Sequence, residues 1–178
     1  MDTSPPEEDD VDFALDPLDV VEHVLSTENL TFDRTEDGDL AFTLAGDWKD
    51  YELWFAWRPE ADCLQLCLSV DIRAKKQRRL AAYELLSLIN QRVWLGHFEI
   101  WTEEGEVVFR HAMALPTGER PTLAQAASMI DAAVEANDPL GIEDEDLGGP
   151  LGLKYVGYFV PRIFEERELD LALFREVH

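Results

Sequence analysis

Residues Thr43 to Ile72, TLAGDWKDYELWFAWRPEADCLQLCLSVDI, decide the fold, because their apolar residues alternate and their turn residues fall between the alternating runs. Pro59 to Asp62 suits a four-residue loop. It pairs Trp57 with Leu64, Phe55 with Leu66 and Leu53 with Leu68. Gly46-Asp47 suits a two-residue turn with glycine first, which pairs Phe42 with Tyr51 and Leu40 with Leu53. Upstream, strands Leu30–Arg34 and Leu40–Leu44 flank Glu36-Asp37-Gly38, a three-residue hairpin loop with glycine in the left-handed position. That loop pairs Phe32 with Phe42 and Leu30 with Leu44.

These registers come from turn chemistry alone, yet they agree on the faces. Leu30, Phe32, Leu40, Phe42, Leu44, Tyr51, Leu53, Phe55, Trp57, Leu64, Leu66, Leu68 and Val70 all point one way, and a one-residue slip would scatter them. This is the expected core face. On the other side Glu52, Trp54, Ala56 and Arg58 lie beside Cys63, Gln65, Cys67 and Ser69, with Trp54 opposite Cys67. Trp48 and Trp101 are placed to join them. A solvated sheet face rarely carries so many tryptophans, so a partner, a dimer mate, the C-terminal segment or the chain's own helices are expected to cover it. The candidate protein-binding residues are Trp48, Trp54, Arg58, Cys67 and Trp101.

The flanking segments supply helices. Asp16-Pro17 is a helix start with Asp as N-cap, followed by Leu18, Val21, Val24 and Leu25 at helical spacing and a stop at Asn29. Residues 75–94 predict a helix whose apolar stripe is Leu80, Ala82, Leu85, Leu86, Ile89 and Val93, ended by Gly96. Strands His97–Glu103 and Glu106–Met113 follow, joined through Glu104-Gly105, with Glu99 facing Arg110 and Trp101 facing Val108. Thr122 and Gln125 form a capping box for a helix Leu123–Ala136 with stripe Leu123, Ala127, Ile130 and Val134. The expected fold is α+β: element order α-β-β-β-β-α-β-β-α, one antiparallel sheet with helices packed on one face. Residues 1–14 read as a disordered acidic lead-in and 15–137 as the domain. Residues 138–150 read as an acidic Gly/Pro linker and 151–178 as a tail, strand-like and then helical.

The chain has 178 residues, 38 acidic against 15 basic, for a formal net charge of −23. Such a surface repels phosphate backbones and disfavours nucleic-acid binding. The first residues, MDTSPPEEDDVDF, hold neither the basic nor the apolar region of a signal peptide, and no apolar run approaches a membrane span; a cytoplasmic location is expected. Cys63 and Cys67 sit roughly 13 Å apart on one strand, too far to bridge. The histidines His23, His97, His111 and His178 show no metal-ligand spacing, with His97 and His111 expected on opposite faces. Neither a nucleophile elbow nor a phosphate loop is present, so neither catalysis nor a cofactor is expected. Arg73, Lys75, Lys76, Arg78 and Arg79 form a basic patch, read as a solvated turn.

DYELWFAWRPEADCLQLCLSVDI and NQRVWLGHFEIWTEEGEVVFRH resemble the YbjN family of bacterial proteins. The matching features are Trp54 and Trp57 on one strand, Leu64 to Cys67 on the next, and Asn90, Trp94 to Phe98 and Arg110-His111 at a helix-to-strand junction. The resemblance spans roughly Asp16 to Ala136. It implies a fold similar to type III secretion chaperones, which are small, acidic and commonly dimeric, and a role in sensory transduction regulation. The resulting expectation is a non-enzymatic regulatory or chaperone-like adaptor that binds another protein as a homodimer. The alternative is a small-molecule sensor with a pocket between helices and sheet, near Trp57 or Trp94.

Overall fold

The computed structural model describes residues 16–45, 50–91 and 93–137. In chain order these form α1 (Pro17–Thr27), β1 (Phe32–Arg34), β2 (Leu40–Ala45), β3 (Asp50–Arg58), β4 (Cys63–Arg73), α2 (Arg79–Asn90), β5 (His97–Ile100), β6 (Glu106–Ala114) and α3 (Leu123–Asn137). All neighbouring strands run antiparallel, in the spatial order β1-β2-β3-β4-β6-β5. The fold class and element order are those expected. The acidic lead-in, the turn at Gly46-Asp47, the linker and the tail lie outside the described residues.

The helix ends follow local chemistry. The Leu18 amide donates to Asp16 Oδ1 at 2.9 Å with Pro17 at the first helical position, so α1 starts where its cap residue predicts. At its other end Asn29 adopts φ 57°, Leu30 N–H donates to Leu25 O at 2.9 Å and Asn29 N–H to Ser26 O at 3.1 Å. This is a Schellman closure with asparagine in the left-handed position. It claims Leu30 for the helix end, which is why β1 begins only at Phe32. For α3, Thr122 N–H donates to Gln125 Oε1 at 2.8 Å and Gln125 N–H to Thr122 Oγ1 at 3.1 Å, the reciprocal capping box.

The β1–β2 and β3–β4 registers match expectation: Phe32 opposes Phe42, Trp57 opposes Leu64 and Trp54 opposes Cys67. Two other registers differ, each by two residues. Phe42 pairs with Leu53 and Leu44 with Tyr51, not Phe42 with Tyr51, so the connection spans 46–49 rather than two residues. Glu99 pairs with Val108 and His97 with Arg110, not Glu99 with Arg110, because the β5–β6 turn closes from Trp101 to Glu106. A shift of two leaves every side chain on its face, so the core is unaffected.

One core forms between the sheet and the helices. Leu40, Tyr51, Phe55, Leu64, Leu66, Leu68 and Phe109 are fully buried and join Val21 and Leu25 of α1, Leu85 of α2 and Ala126, Met129 and Ala133 of α3. α1 packs on α3 and β3, α3 also on β4 and β6, and α2 on β5. Each large side chain buried there is worth ~1.5–3 kcal/mol relative to exposure. Two expected stripes are corrected. Leu80 is 83% exposed and Leu123 50%, while Ala126, Met129 and Ala133 form the inward row of α3. Both exposed leucines lie in the first turn, beyond the point where the helix meets the sheet. α2 is also shorter than residues 75–94, preceded by a 3-10 turn at Lys76–Arg78.

Two tethers fix the sheet's ends. Arg34 reaches from edge strand β1 to α1, bonding Asp16 at 2.8 Å, Asp19 at 3.3 Å and Glu22 at 2.6 Å. Burial opposes the guanidinium's charge, but its bonds to Asp16 and Glu22 prevail and hold its pKa above the ordinary value. At the other end Asn90 gives its amide to Phe98 O at 2.9 Å and takes Phe98 N–H at 2.7 Å, mimicking a strand partner. Gly96 has φ +78°, and a Cβ there would stand 2.4 Å from the Phe109 ring and 2.8 Å from Arg110 O. The junction motif Asn90 to Phe98 is thus largely a folding device.

Candidate functional site

Facing away from the core, the rows of the sheet read Asp33, Ala41, Trp54, Cys67, Arg110 and His97, and next to it Thr43, Glu52, Ser69, Val108 and Glu99. None of the buried residues on this side, such as Ala56, Cys67 and Val108, belongs to the core that the three helices close. The tryptophans meet here. Trp54 and Trp101 touch edge to face, with ring centroids 5.6 Å apart and planes at 67°.

Glu99 sets that geometry. One of its oxygens accepts the Trp101 indole N–H at 2.9 Å, and the other binds Arg110 at 2.9 Å with His97 Nε2 at 3.5 Å. The carboxylate is therefore charge-matched while it orients the ring. Trp101 follows the last residue of β5, so the turn delivers it over the sheet toward β3.

Of the five residues read as a binding site, Trp54 and Trp101 come together, with Trp101 38% exposed. Cys67 lies below them at 2% exposure, and burial pushes its thiol up to about 12, ahead of the opposing field of Arg110. It forms floor, not contact surface. Arg58 stands four residues along β3 from Trp54 and bonds Asp39 at 3.2 Å. Trp48 lies outside the described residues.

A groove of about 1010 Å³ runs over β1, β2 and β3 beside the tryptophan pair. Ala41, Ala45 and Trp54 give its floor apolar surface beside Thr43, and its lining carries Asp33, Asp37, Asp39, Asp50 and Glu52. Sequence reading placed Glu52 on this face and Glu99 against Arg110, but it did not single out Asp33, Asp37, Asp39 and Asp50. The signal was alternation, since Glu52 shares the parity of Trp54, Glu99 that of Trp101, and Asp33 points opposite to Phe32, but they become neighbours only once the registers are known.

A second groove, about 650 Å³, runs between α2 and β5 and is lined by Tyr83, Leu86, Asn90 and Phe98 among others. Neither groove is lined by Trp57 or Trp94, beside which a sensor pocket was expected. Trp57 packs half-buried against the core, whereas Trp94 is 91% exposed. The basic patch is partly structural: Arg79 donates to Ala74 O at 3.4 Å and to Thr102 O at 2.6 Å, strapping the β5–β6 turn. Among the described residues no group of three His, Cys, Asp or Glu side chains is arranged to hold a metal ion, and no helix is long and apolar enough to cross a membrane.

No curated protein matches the chain. Residues 17–141 match the model of the YbjN family, described as "Putative bacterial sensory transduction regulator", and this span takes in every described element from α1 to α3. The chain belongs to the YbjN family.

Proposed function

We propose that this protein is a cytoplasmic regulatory adaptor that works by binding another protein through the sheet face turned away from its helices, not by catalysis. The observation that carries this reading is the Trp54–Trp101 pair, oriented by Glu99 on a face that none of the described helices packs against. Holding an indole in place on a surface restricts its rotamers, and aromatic anchors of this kind dominate protein interfaces. The family's regulatory description agrees with a binding role.

We also propose that the adaptor is a homodimer, joined through α2 and the turn that follows it. Leu80, Tyr83, Trp94 and Leu95 are all exposed there, at 83%, 44%, 91% and 49%. Apolar side chains in such numbers suit an interface between copies. The mass measured by light scattering should be that of two chains for the native protein and of one for Trp94→Asp. A native monomer rejects the dimer.

A photo-crosslinking residue placed at exposed Thr102, beside an intact Trp101, and separately at Asp131 on the exposed side of α3, tests the adaptor reading in cells. Position 102 should join to a distinct protein identified by mass spectrometry, and position 131 should not. Failure of position 102 to join any protein contradicts the reading.

A further inference from the structure

The face turned from the helices has two halves of unlike charge. On β5 and β6, Glu99 sits against Arg110 and His97. On β1 to β3, Asp33, Asp50 and Glu52 are exposed, and among the described residues none of them bonds a cation. Among the described residues, Asp39 alone of the rim has one, Arg58 at 3.2 Å. The described residues lining the groove include five carboxylates and neither lysine nor arginine. Like charges gathered on one surface repel, and a cation entering between them relieves that repulsion.

The floor complements the rim. An extended lysine or arginine lays its aliphatic stem on apolar surface and keeps its charged end at the edge. Here Ala41 and Trp54 provide the apolar surface, Trp101 adds an indole, and the carboxylates stand around them. An indole is also the best aromatic partner for a cation, worth ~0.5–2 kcal/mol. The groove's length and position favour a peptide over a small amine. It crosses three strands and reaches Asp33 of β1, with Thr31 and Thr35 on either side, and β1 is the edge strand, whose outer backbone groups have no strand partner among the described residues. A second copy of a chain with net charge −23 brings the wrong sign to this rim.

We propose that the β1–β3 half of this face binds an extended segment of the partner protein that bears several lysines or arginines, with its cations along Asp33, Glu52 and Asp50 and a side-chain stem on Trp54. This rests on the adaptor reading and adds the chemistry of what the adaptor recognises.

The test uses the full chain and a fluorescent peptide of about ten residues alternating lysine with valine and threonine, beside its glutamine-for-lysine counterpart, at near-physiological salt. Two triple variants each remove three negative charges: Asp33→Asn/Asp50→Asn/Glu52→Gln in the groove, and Glu119→Gln/Asp131→Asn/Glu135→Gln on and beside α3. Thermal melts confirm that both fold. The lysine peptide should bind and the glutamine peptide should not. The groove variant should weaken binding roughly tenfold and the α3 variant less than about twofold. Equal losses in the two variants mean that the overall field does the binding, and they overturn the proposal, as does equal binding of the two peptides. A photo-crosslinker at Thr43 that joins to residues 138–178 of the same chain, or to a second copy, also overturns the assigned occupant. None of these outcomes touches the adaptor reading, which stands or falls on the crosslink at position 102.

Discussion

Trp54 and Phe55 are adjacent in the chain and belong to different problems. Phe55 points into the core, fully buried and stacked on Phe42 with ring centroids 6.2 Å apart; Trp54 points the other way, half-buried against Trp101 at 5.6 Å. One side of the sheet is closed by three helices in a single cluster, and the other carries oriented aromatic rings beside a rim of carboxylates. The core that stabilises the fold lies on the first side, and the second is the one proposed for recognition. Alternation along a strand is what allows one segment to serve both without compromise.

The contrast can be broken most forcefully at this pair. Phe55→Ala should destabilise the protein by about 3–5 kcal/mol in urea unfolding, whereas Trp54→Ala, losing one edge contact and part-buried area, should lose about 1–2 kcal/mol. Equal losses would mean that the two faces are not separate. Gly96→Ala should follow, at about 2–3 kcal/mol, because it combines a disfavoured φ with a collision against Phe109, a core residue. Its effect marks a place where a loop near the second face is governed by the first.

Much of this division was legible in the alternation of Thr43–Ile72, and the reasons some of it was not are specific. The β2–β3 and β5–β6 registers were misread by two residues because such a shift leaves the apolar pattern unchanged. Leu80 and Leu123 fit helical stripes, yet the docking of each helix decides which residues meet the sheet, and periodicity does not report docking. Arg34 binds carboxylates 12 to 18 residues away, a contact with no local signature. The acidic rim needed the true β2–β3 register, which sets Thr43 opposite Glu52 and Ala45 opposite Asp50.

Smaller effects sharpen the picture. Cys63 is partly exposed and Cys67 is buried with its thiol near 12, so a thiol reagent at pH 8 should label Cys63 in the native protein and Cys67 only on unfolding. Rapid labelling of both would mean that the floor beneath Trp54 is open. The smallest effect is a pH dependence. Burial lowers the pKa of His111 below 6.5, so the unfolded chain takes up a proton that the folded chain resists. His111 therefore leaves stability unchanged above the unfolded value and reduces it as pH falls through that value toward the folded one. His111→Gln should flatten that part of the stability profile, and an unaltered slope would remove His111 as its source.

The central claim, that recognition belongs to the tryptophan-bearing face and stability to the other, is tested most directly by crosslinking yield from position 43 in a Trp54→Ala/Trp101→Ala background. The account predicts a chain that still unfolds cooperatively but no longer forms the partner adduct seen with both tryptophans present. An undiminished adduct from a folded double variant would contradict it.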